Sequence, residues 1–320
     1  MIYKQLGKTE LKIPPITFGG NVFGWTVDKK TSFYLLDALL ERGFNFIDSA
    51  NVYSYWAEGN SGGESETILG EWMHERKNRD QLLIATKVGS PMGSGSANLS
   101  ASYIQEQLDL SLKRLQTDYI DVYFSHKYDE STPQIETLSA YKNAVNSGRV
   151  RQIGASNFPL AILREALELS KENSLPRYEV IQPEYNLMER NAFEGAYQRF
   201  CIENELSVTS YFTLASGFLT GKYRIKEDAS GKERERFVSK YFDDSGKAVL
   251  KVLETTSKKY GISQAAVTLA WTMAQPGITS PIVSATNKQH LSAFDEALKI
   301  KLDQEDLELI AEASGEKKPA

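Results

Sequence analysis

Eight short apolar segments recur along the 320-residue chain, at 16–20, 44–48, 82–88, 120–126, 150–156, 179–183, 206–211 and 280–285. Between them apolar residues fall at helical spacing over 31–42, 64–76, 100–115, 134–147, 160–171, 190–203, 262–274 and 288–298. Strands that alternate with helices pair in parallel, and eight repeats suit the closed form of such a sheet, the (β/α)8 or TIM barrel. Spacing points the same way. Asp48 to Lys87 and Lys87 to His126 are 39 residues each, His126 to Ser156 is 30, Ser156 to Gln182 is 26 and Gln182 to Tyr211 is 29. Roughly 30 residues suffice for one strand–helix–strand crossover. Tyr211 to Ser284 is 73, so a loop and helix are inserted after the seventh strand. The middle of that insert, 226–236, mixes both charges around Gly231 and reads as a solvated, mobile lid. Residues 3–13 read as an N-terminal β-hairpin turning at Gly7-Lys8, and 303–313 as an extra C-terminal helix. Ser100, and Asn157 just ahead of Pro159, are candidate helix caps. No linker or low-complexity stretch divides the chain, so 1–320 reads as one barrel domain.

Composition narrows the partners. With 41% hydrophobic and 25% charged residues the chain is an ordinary globular protein. A net charge of −5 argues against nucleic acid as a partner. The one cysteine, Cys201, lies between Phe200 and Ile202; it excludes an internal disulfide framework and reads as a buried thiol in a reducing compartment. The N-terminus lacks a signal peptide's apolar core, and no run is long enough to span a bilayer, so the expected location is cytoplasmic without membrane insertion. Three scattered histidines and no cysteine pair give no metal site. The glycine-rich segment Gly89-Ser90-Pro91-Met92-Gly93-Ser94-Gly95-Ser96 lacks the Lys-Ser/Thr of a Walker loop and a full GxGxxG, and reads as a flexible loop after the third strand.

The chemistry gathers at strand ends, where a barrel of this kind places its active site. In Gly43-Phe44-Asn45-Phe46-Ile47-Asp48-Ser49-Ala50-Asn51-Val52-Tyr53, alternation puts Phe44, Phe46 and Asp48 on one strand face. A carboxylate there is costly unless something pairs with it. The last polar residues of the other strands are Lys87, His126, Ser156-Asn157, Gln182 and Tyr211, and Tyr53 follows in the loop after Asp48. A phenol ionises near pH 10, too high for neutral acid–base work, and an adjacent ammonium would lower that. Lys87 is placed to supply the charge, Asp48 to hold Lys87, and His126 to orient a carbonyl oxygen. The four suit protonation of an oxygen as hydride reaches carbon. Singly each has a bland explanation: a strand-end lysine is usually an ion-pair partner, a lone histidine such as His74 usually packs, and a loop tyrosine is usually rim. On successive strands of one barrel they favour catalysis. Trp25 and Trp56 lie in loops on the same side and read as walls of a carbonyl-substrate pocket. The polar run 56–63 leaves room for a hydroxylated substrate.

The chain resembles the aldo-keto reductases over nearly its whole length. Gly43 to Tyr53 is similar to the family's first signature, with Ser49 where threonine is common. Leu115-Gln116-Thr117-Asp118-Tyr119-Ile120-Asp121-Val122-Tyr123 with His126 resembles the fourth-strand motif. Ile153-Gly154-Ala155-Ser156-Asn157-Phe158 and Gln182-Pro183-Glu184-Tyr185-Asn186 resemble the fifth and sixth. The resemblance implies NAD(P)H-dependent reduction of an aldehyde or ketone. Tyr53 would be the general acid, Lys87 and Asp48 would tune it, and His126 would orient the carbonyl. It also implies that Ser156, Asn157 and Gln182 hold the nicotinamide carboxamide and that Tyr211 stacks on the ring. Gly20 and Asn21 would border that end beside Asp48. Leu214, Ser216, Gly217 and Lys222 belong to a segment resembling the pyrophosphate loop, and Ser284, Thr286 and His290 to one resembling the adenosine-phosphate loop. Two departures stand out. Thr213 occupies a common proline position, and Ala293-Phe294 replaces the Glu-Asn pair that holds adenine, so Phe294 either packs under the adenine or faces the core. NADPH is the expected cofactor, with NADH left open; a monomer or weak homo-oligomer is implied. One rival is a nicotinamide-binding regulatory subunit, like the relatives that attach to potassium channels. Another is a Schiff-base aldolase using Lys87, disfavoured because Asp48 should keep that amine protonated.

Overall fold

A computed structural model describes residues 1–93 and 95–315. The eight apolar segments pair in parallel in chain order: β3 (Thr17–Gly19), β4 (Phe46–Asp48), β5 (Leu83–Val88), β6 (Ile120–Ser125), β7 (Val150–Ser156), β8 (Tyr178–Gln182), β9 (Ser207–Val208) and β10 (Ile282–Val283). β10 pairs with β3, which leaves one seam between β9 and β10. Backbone hydrogen bonds cross it: Thr279 and Ser280 N–H donate to Val208 O at 2.9 and 3.1 Å, and Ile282 N–H donates to Ser210 O at 2.7 Å. The sheet is therefore a closed barrel with no free edge.

Alternation sorts the strands into two environments. Phe46, Ala85, Val122, Phe124 and Val180 point inward and form a cluster with Leu6, Leu11 and Ile13. Those last three belong to or flank the hairpin of β1 (Lys4–Gln5) and β2 (Lys12–Ile13), which plugs one end of the barrel. The interior has no spare volume at Gly154, where a Cβ would lie 2.4 Å from a Phe124 ring carbon. Phe44 is not part of this set. It precedes the three-residue strand β4 and packs edge-on against Phe294 in the helix layer, because Gly43, at φ 83°, turns the chain there.

The outer layer comprises α1 (Lys29–Glu41), α2 (Glu64–Arg76), α3 (Ala101–Leu115), α4 (Gln134–Asn146), α5 (Leu160–Glu172) and α6 (Ala196–Glu203). After β9 come α7 (Glu235–Val238), α8 (Asp244–Tyr260) and α9 (Gln264–Ala274), and after β10 come α10 (Ser292–Lys299) and α11 (Gln304–Ala313). α8 is the helix of the insert, capped by Asp243 accepting from Gly246 N–H at 2.7 Å. Four expectations change. The helix expected over 190–203 begins only after Gly195, whose φ 89° and ψ −118° break the helical run. The one expected over 288–298 starts with a tighter 3-10 turn, Lys288–Leu291. Ser100 stands at the start of α3 but bonds Asn98, and Pro159 rather than Asn157 directly precedes α5, while Asn157 turns into the cleft. The 226–236 segment carries a 3-10 turn, Lys226–Ala229, that buries Ala229, and the start of α7, so it is folded rather than a plain solvated loop. Of the glycine-rich segment, Ser94 lies outside the described residues. No described helix is long and apolar enough to cross a membrane.

Gly154→Ala should destabilise the barrel by about 1–3 kcal/mol through overpacking against Phe124. A lowered urea midpoint with unchanged slope is the expected result.

Candidate active site

The alternation that sends Phe46 and Ala85 into the barrel sends Asp48 and Lys87 inward two residues later, at its open end. Both are fully buried, at 1% and 0% exposed. Lys87 Nζ donates to three acceptors: Asp48 Oδ2 at 2.6 Å, Ser49 O at 2.7 Å and the Tyr53 oxygen at 2.8 Å. Asp48 Oδ2 also accepts from the Tyr53 hydroxyl at 3.0 Å, and Oδ1 accepts from Gln182 Nε2 at 2.9 Å. The pair is thus closed by good hydrogen bonds, the condition under which buried opposite charges persist.

The electrostatics reverse one expectation. Burial, then the Asp48 charge and hydrogen bond, hold the Tyr53 phenol well above its ordinary value. Lys87 does not bring it into the neutral range. It fixes the phenol oxygen instead, and the hydroxyl keeps its proton. Burial pulls Lys87 down from the usual lysine value while Asp48 works against that. His126 stands 6.0 Å from Tyr53, ring centre to ring centre, and burial with the Lys87 charge holds it well below the usual histidine range. It is a neutral imidazole at pH 7, and its Nδ1 has no partner among the described residues.

Above this floor lies a cleft of about 800 Å³. Tyr53, His126, Trp25 and Trp56 line it. Trp56 stands edge-on to both Trp25 (5.6 Å) and Tyr53 (6.1 Å). On the next wall Ser156 Oγ donates to Gln182 O at 2.8 Å, Asn157 Nδ2 to His126 O at 3.0 Å, and the Tyr211 hydroxyl to Asn157 Oδ1 at 2.8 Å. Asn157 holds φ 57° to make these bonds. Asn21 accepts from Ser284 Oγ at 2.6 Å. Further along, Ala215, Ser216 and Gly217 take three successive positive φ values beside Lys222. Thr286 and His290 close the far end, where Asn287 Nδ2 contacts His290 Nε2 at 3.0 Å. Burial and Lys222 lower His290 below its ordinary value. Leu214 also faces the cleft, whereas Gly20, Asp48 and Lys87 lie behind its wall. Gly20 is needed there because a Cβ would come within 2.9 Å of Ser65 Oγ.

A model of the aldo/keto reductase family matches residues 15–314. The chain belongs to the aldo/keto reductase family. It is 32% identical over 319 residues to the uncharacterized oxidoreductase YrpG of Bacillus subtilis, covering 97% of this chain and 95% of that one. A probable voltage-gated potassium channel subunit beta of Arabidopsis thaliana is 31% identical, with 91% and 89% covered. The L-glyceraldehyde 3-phosphate reductase of Escherichia coli K12 is 30% identical, with 93% and 88% covered. An aldo/keto reductase is an oxidoreductase of small-molecule carbonyl compounds that works with a nicotinamide cofactor.

For a member of this family, the cleft wall shows what residue-by-residue reading missed. Lys222, Arg234 and Arg236 line it, and among the described residues no aspartate or glutamate does, although the whole chain is acidic. Phe212 and Phe237 join them. The charge-mixed composition of 226–236 hid this, since the arginines face the cleft and the insert's carboxylates do not. Of the departures, Phe294 is 2% exposed and packs on Phe44, yet it also borders the cleft, so it joins the core to the cleft wall, while Ala293 beside it adds only a methyl group.

His126 gives a pH-dependence whose sign is fixed. Its folded value lies below the unfolded one, so the unfolded chain takes up the proton first. Stability is full above about pH 6.5 and falls as pH drops below it. His126→Asn should flatten that loss between about pH 6.5 and 5, read from urea unfolding at each pH.

Proposed function

We propose that this chain reduces an aldehyde or ketone to the alcohol with NADPH, and that Tyr53 is the proton donor. The observation that carries the reading is the Tyr53 hydroxyl on the cleft floor, bonded to a buried and fully satisfied Lys87–Asp48 pair. The residues present also fit a dinucleotide. Among the described residues no carboxylate lines the cleft, and Lys222 stands beside Gly217 and His290, which suits a ligand carrying several phosphate charges. Ser156, Asn157 and Gln182 would meet the carboxamide, Tyr211 the ring face, Lys222 the pyrophosphate, and Thr286 with His290 the adenosine phosphate. The placement of Lys222 near His290 favours NADPH over NADH. When bound, the nicotinamide supplies the hydride equivalent that the carbonyl carbon takes up.

The protein's own part is the proton and the geometry. As electrons move onto the carbonyl oxygen it becomes an alkoxide, a far stronger base than a phenolate. A phenol held above its ordinary value therefore still gives up its proton to that oxygen. Lys87, already bonded to the phenol oxygen, receives the developing phenolate charge, and Asp48 keeps the ammonium in place. His126, neutral, offers the carbonyl oxygen a hydrogen bond without adding a charge. A second reading, a nicotinamide-binding regulatory subunit, is supported by the likeness to the plant potassium-channel subunit.

Tyr53→Phe should lower carbonyl reduction by about 10²–10⁴-fold, the size of a general-acid contribution. NADPH binding, followed by quenching of intrinsic fluorescence, should be nearly unchanged. Near-normal turnover in this variant would reject Tyr53 as the donor. Tight NADPH binding by the parent protein without turnover of any carbonyl would favour the regulatory reading.

A further inference from the structure

Three exposed aromatic rings crowd the mouth of the cleft. Of the five large aromatic side chains exposed among the described residues, Tyr55, Trp56 and Phe212 line this one cavity. Phe212 is the unusual member. It holds φ 56°, a conformation that bulky side chains adopt only at a cost, yet 39% of its surface is left to solvent. Neither its backbone nor its burial accounts for a phenylalanine. Its ring does face a series: Tyr211 to Phe212 at 5.1 Å, Phe212 to Phe237 at 6.1 Å, and the Arg236 guanidinium 4.6 Å over the Phe237 ring. The series thus runs from the tyrosine assigned to the nicotinamide out to a cation at the rim.

Arg236 is the cation left over once the cofactor is provided for. Lys222 lies 4.7 Å over the Tyr223 ring, and Arg234, which also feels Tyr223, reaches Trp25 at 5.6 Å. Lys222 stands beside Gly217 and His290, on the side proposed for the phosphates, and Arg234 is taken up by the Trp25 and Tyr223 rings. Arg236 makes no side-chain hydrogen bond or ion pair among the described residues. The neighbouring carboxylates are otherwise engaged: Glu233 accepts from Trp25 Nε1 at 3.3 Å and Glu235 from Gly231 N–H at 2.8 Å.

We propose that Phe212, Phe237 and Arg236 form a substrate subsite that selects aromatic aldehydes or ketones bearing a carboxylate on the far side of the ring. This rests on the carbonyl-reductase reading above and names its substrate class. The rings stack on the aryl group, and the guanidinium receives the carboxylate as a charge-assisted pair.

The test compares each of 4-formylbenzoate, 4-formylcinnamate and 4′-formylbiphenyl-4-carboxylate with its own methyl ester, which keeps the shape and removes the charge. At least one acid should exceed its ester roughly tenfold in kcat/KM, and Arg236→Ala should bring that ratio to about one. Phe212→Gly should leave the urea midpoint equal or higher, because glycine tolerates positive φ, while lowering the preference for aryl over aliphatic aldehydes. Ratios near one at every length in the parent protein would overturn the subsite. So would a ratio that survives Arg236→Ala, and loss of NADPH affinity alongside such a surviving ratio would assign Arg236 to the cofactor. If NADPH binds but no aldehyde is reduced, the reductase reading fails. The subsite is then judged by binding alone, from acid and ester titrations of the NADP-loaded protein followed by tryptophan fluorescence. A tenfold tighter acid that loses its advantage in Arg236→Ala supports the subsite; equal affinities overturn it.

Discussion

Two opposite charges buried at the open end of a barrel are the constraint around which this molecule is arranged. Removing an ammonium and a carboxylate from water costs several kcal/mol each, recovered only when their remaining hydrogen-bonding capacity is met. Here Lys87 reaches Asp48, Ser49 O and Tyr53, and Asp48 receives Lys87, Tyr53 and Gln182. The strands bearing them cannot drift. Ser49 N–H donates to Ala85 O and Asn51 N–H to Lys87 O. The first turn of α2 then clamps both strand ends. Ser65 bonds Ser49 Oγ and Gly20 O, while buried Glu66 receives Thr86 Oγ1 at 2.5 Å and Arg114 Nε at 2.6 Å. The proton on Tyr53 is held by a scaffold rather than by a single neighbour.

Most of this scaffold was legible in the sequence because it follows from period two. Once the eight strands are found, inward and outward alternate, and the last inward polar residue of each must face the open end. That places Asp48, Lys87 and Gln182 without further information. Three things were not legible, each for a physical reason. The ionisation of Tyr53 depends on which partner dominates in a dry site: burial and Asp48 outweigh the ammonium, and sequence separation says nothing of that balance. The start of α6 depends on one glycine's dihedral angles. The cation-lined wall depends on which face of the insert folds inward, and a segment of mixed charge gives no period from which to read it.

The β9–β10 seam shows how a departure from a family pattern can be compensated. Both strands are only two residues long, so the barrel closes there with few ladder bonds. At Thr213, where a proline would stiffen the loop, the side-chain hydroxyl instead donates to Ile282 O at 2.9 Å, tying the loop after β9 directly to β10. A proline limits the unfolded chain's freedom and bonds nothing, whereas a threonine adds a cross-seam bond and leaves that freedom. The same loop carries Tyr211 and Phe212, so this cross-seam bond anchors the segment that bears those rings.

This arrangement separates what the reaction requires from what a substrate requires. The phenol, ammonium and carboxylate sit on strands or close behind them, in positions fixed by register and closure. Tyr55 and Trp56 of the mouth sit on the loop after β4, and Phe212, Phe237 and the arginines sit on the loop after β9 and the insert beyond it, where the backbone tolerates strain at Phe212. A change at the floor alters a network in which every donor is committed. Changes at the mouth alter charge and shape while the barrel bonds stay as they are. Selection for a new carbonyl compound can therefore act on Phe212, Arg236 and their neighbours without passing through the Lys87–Asp48 pair.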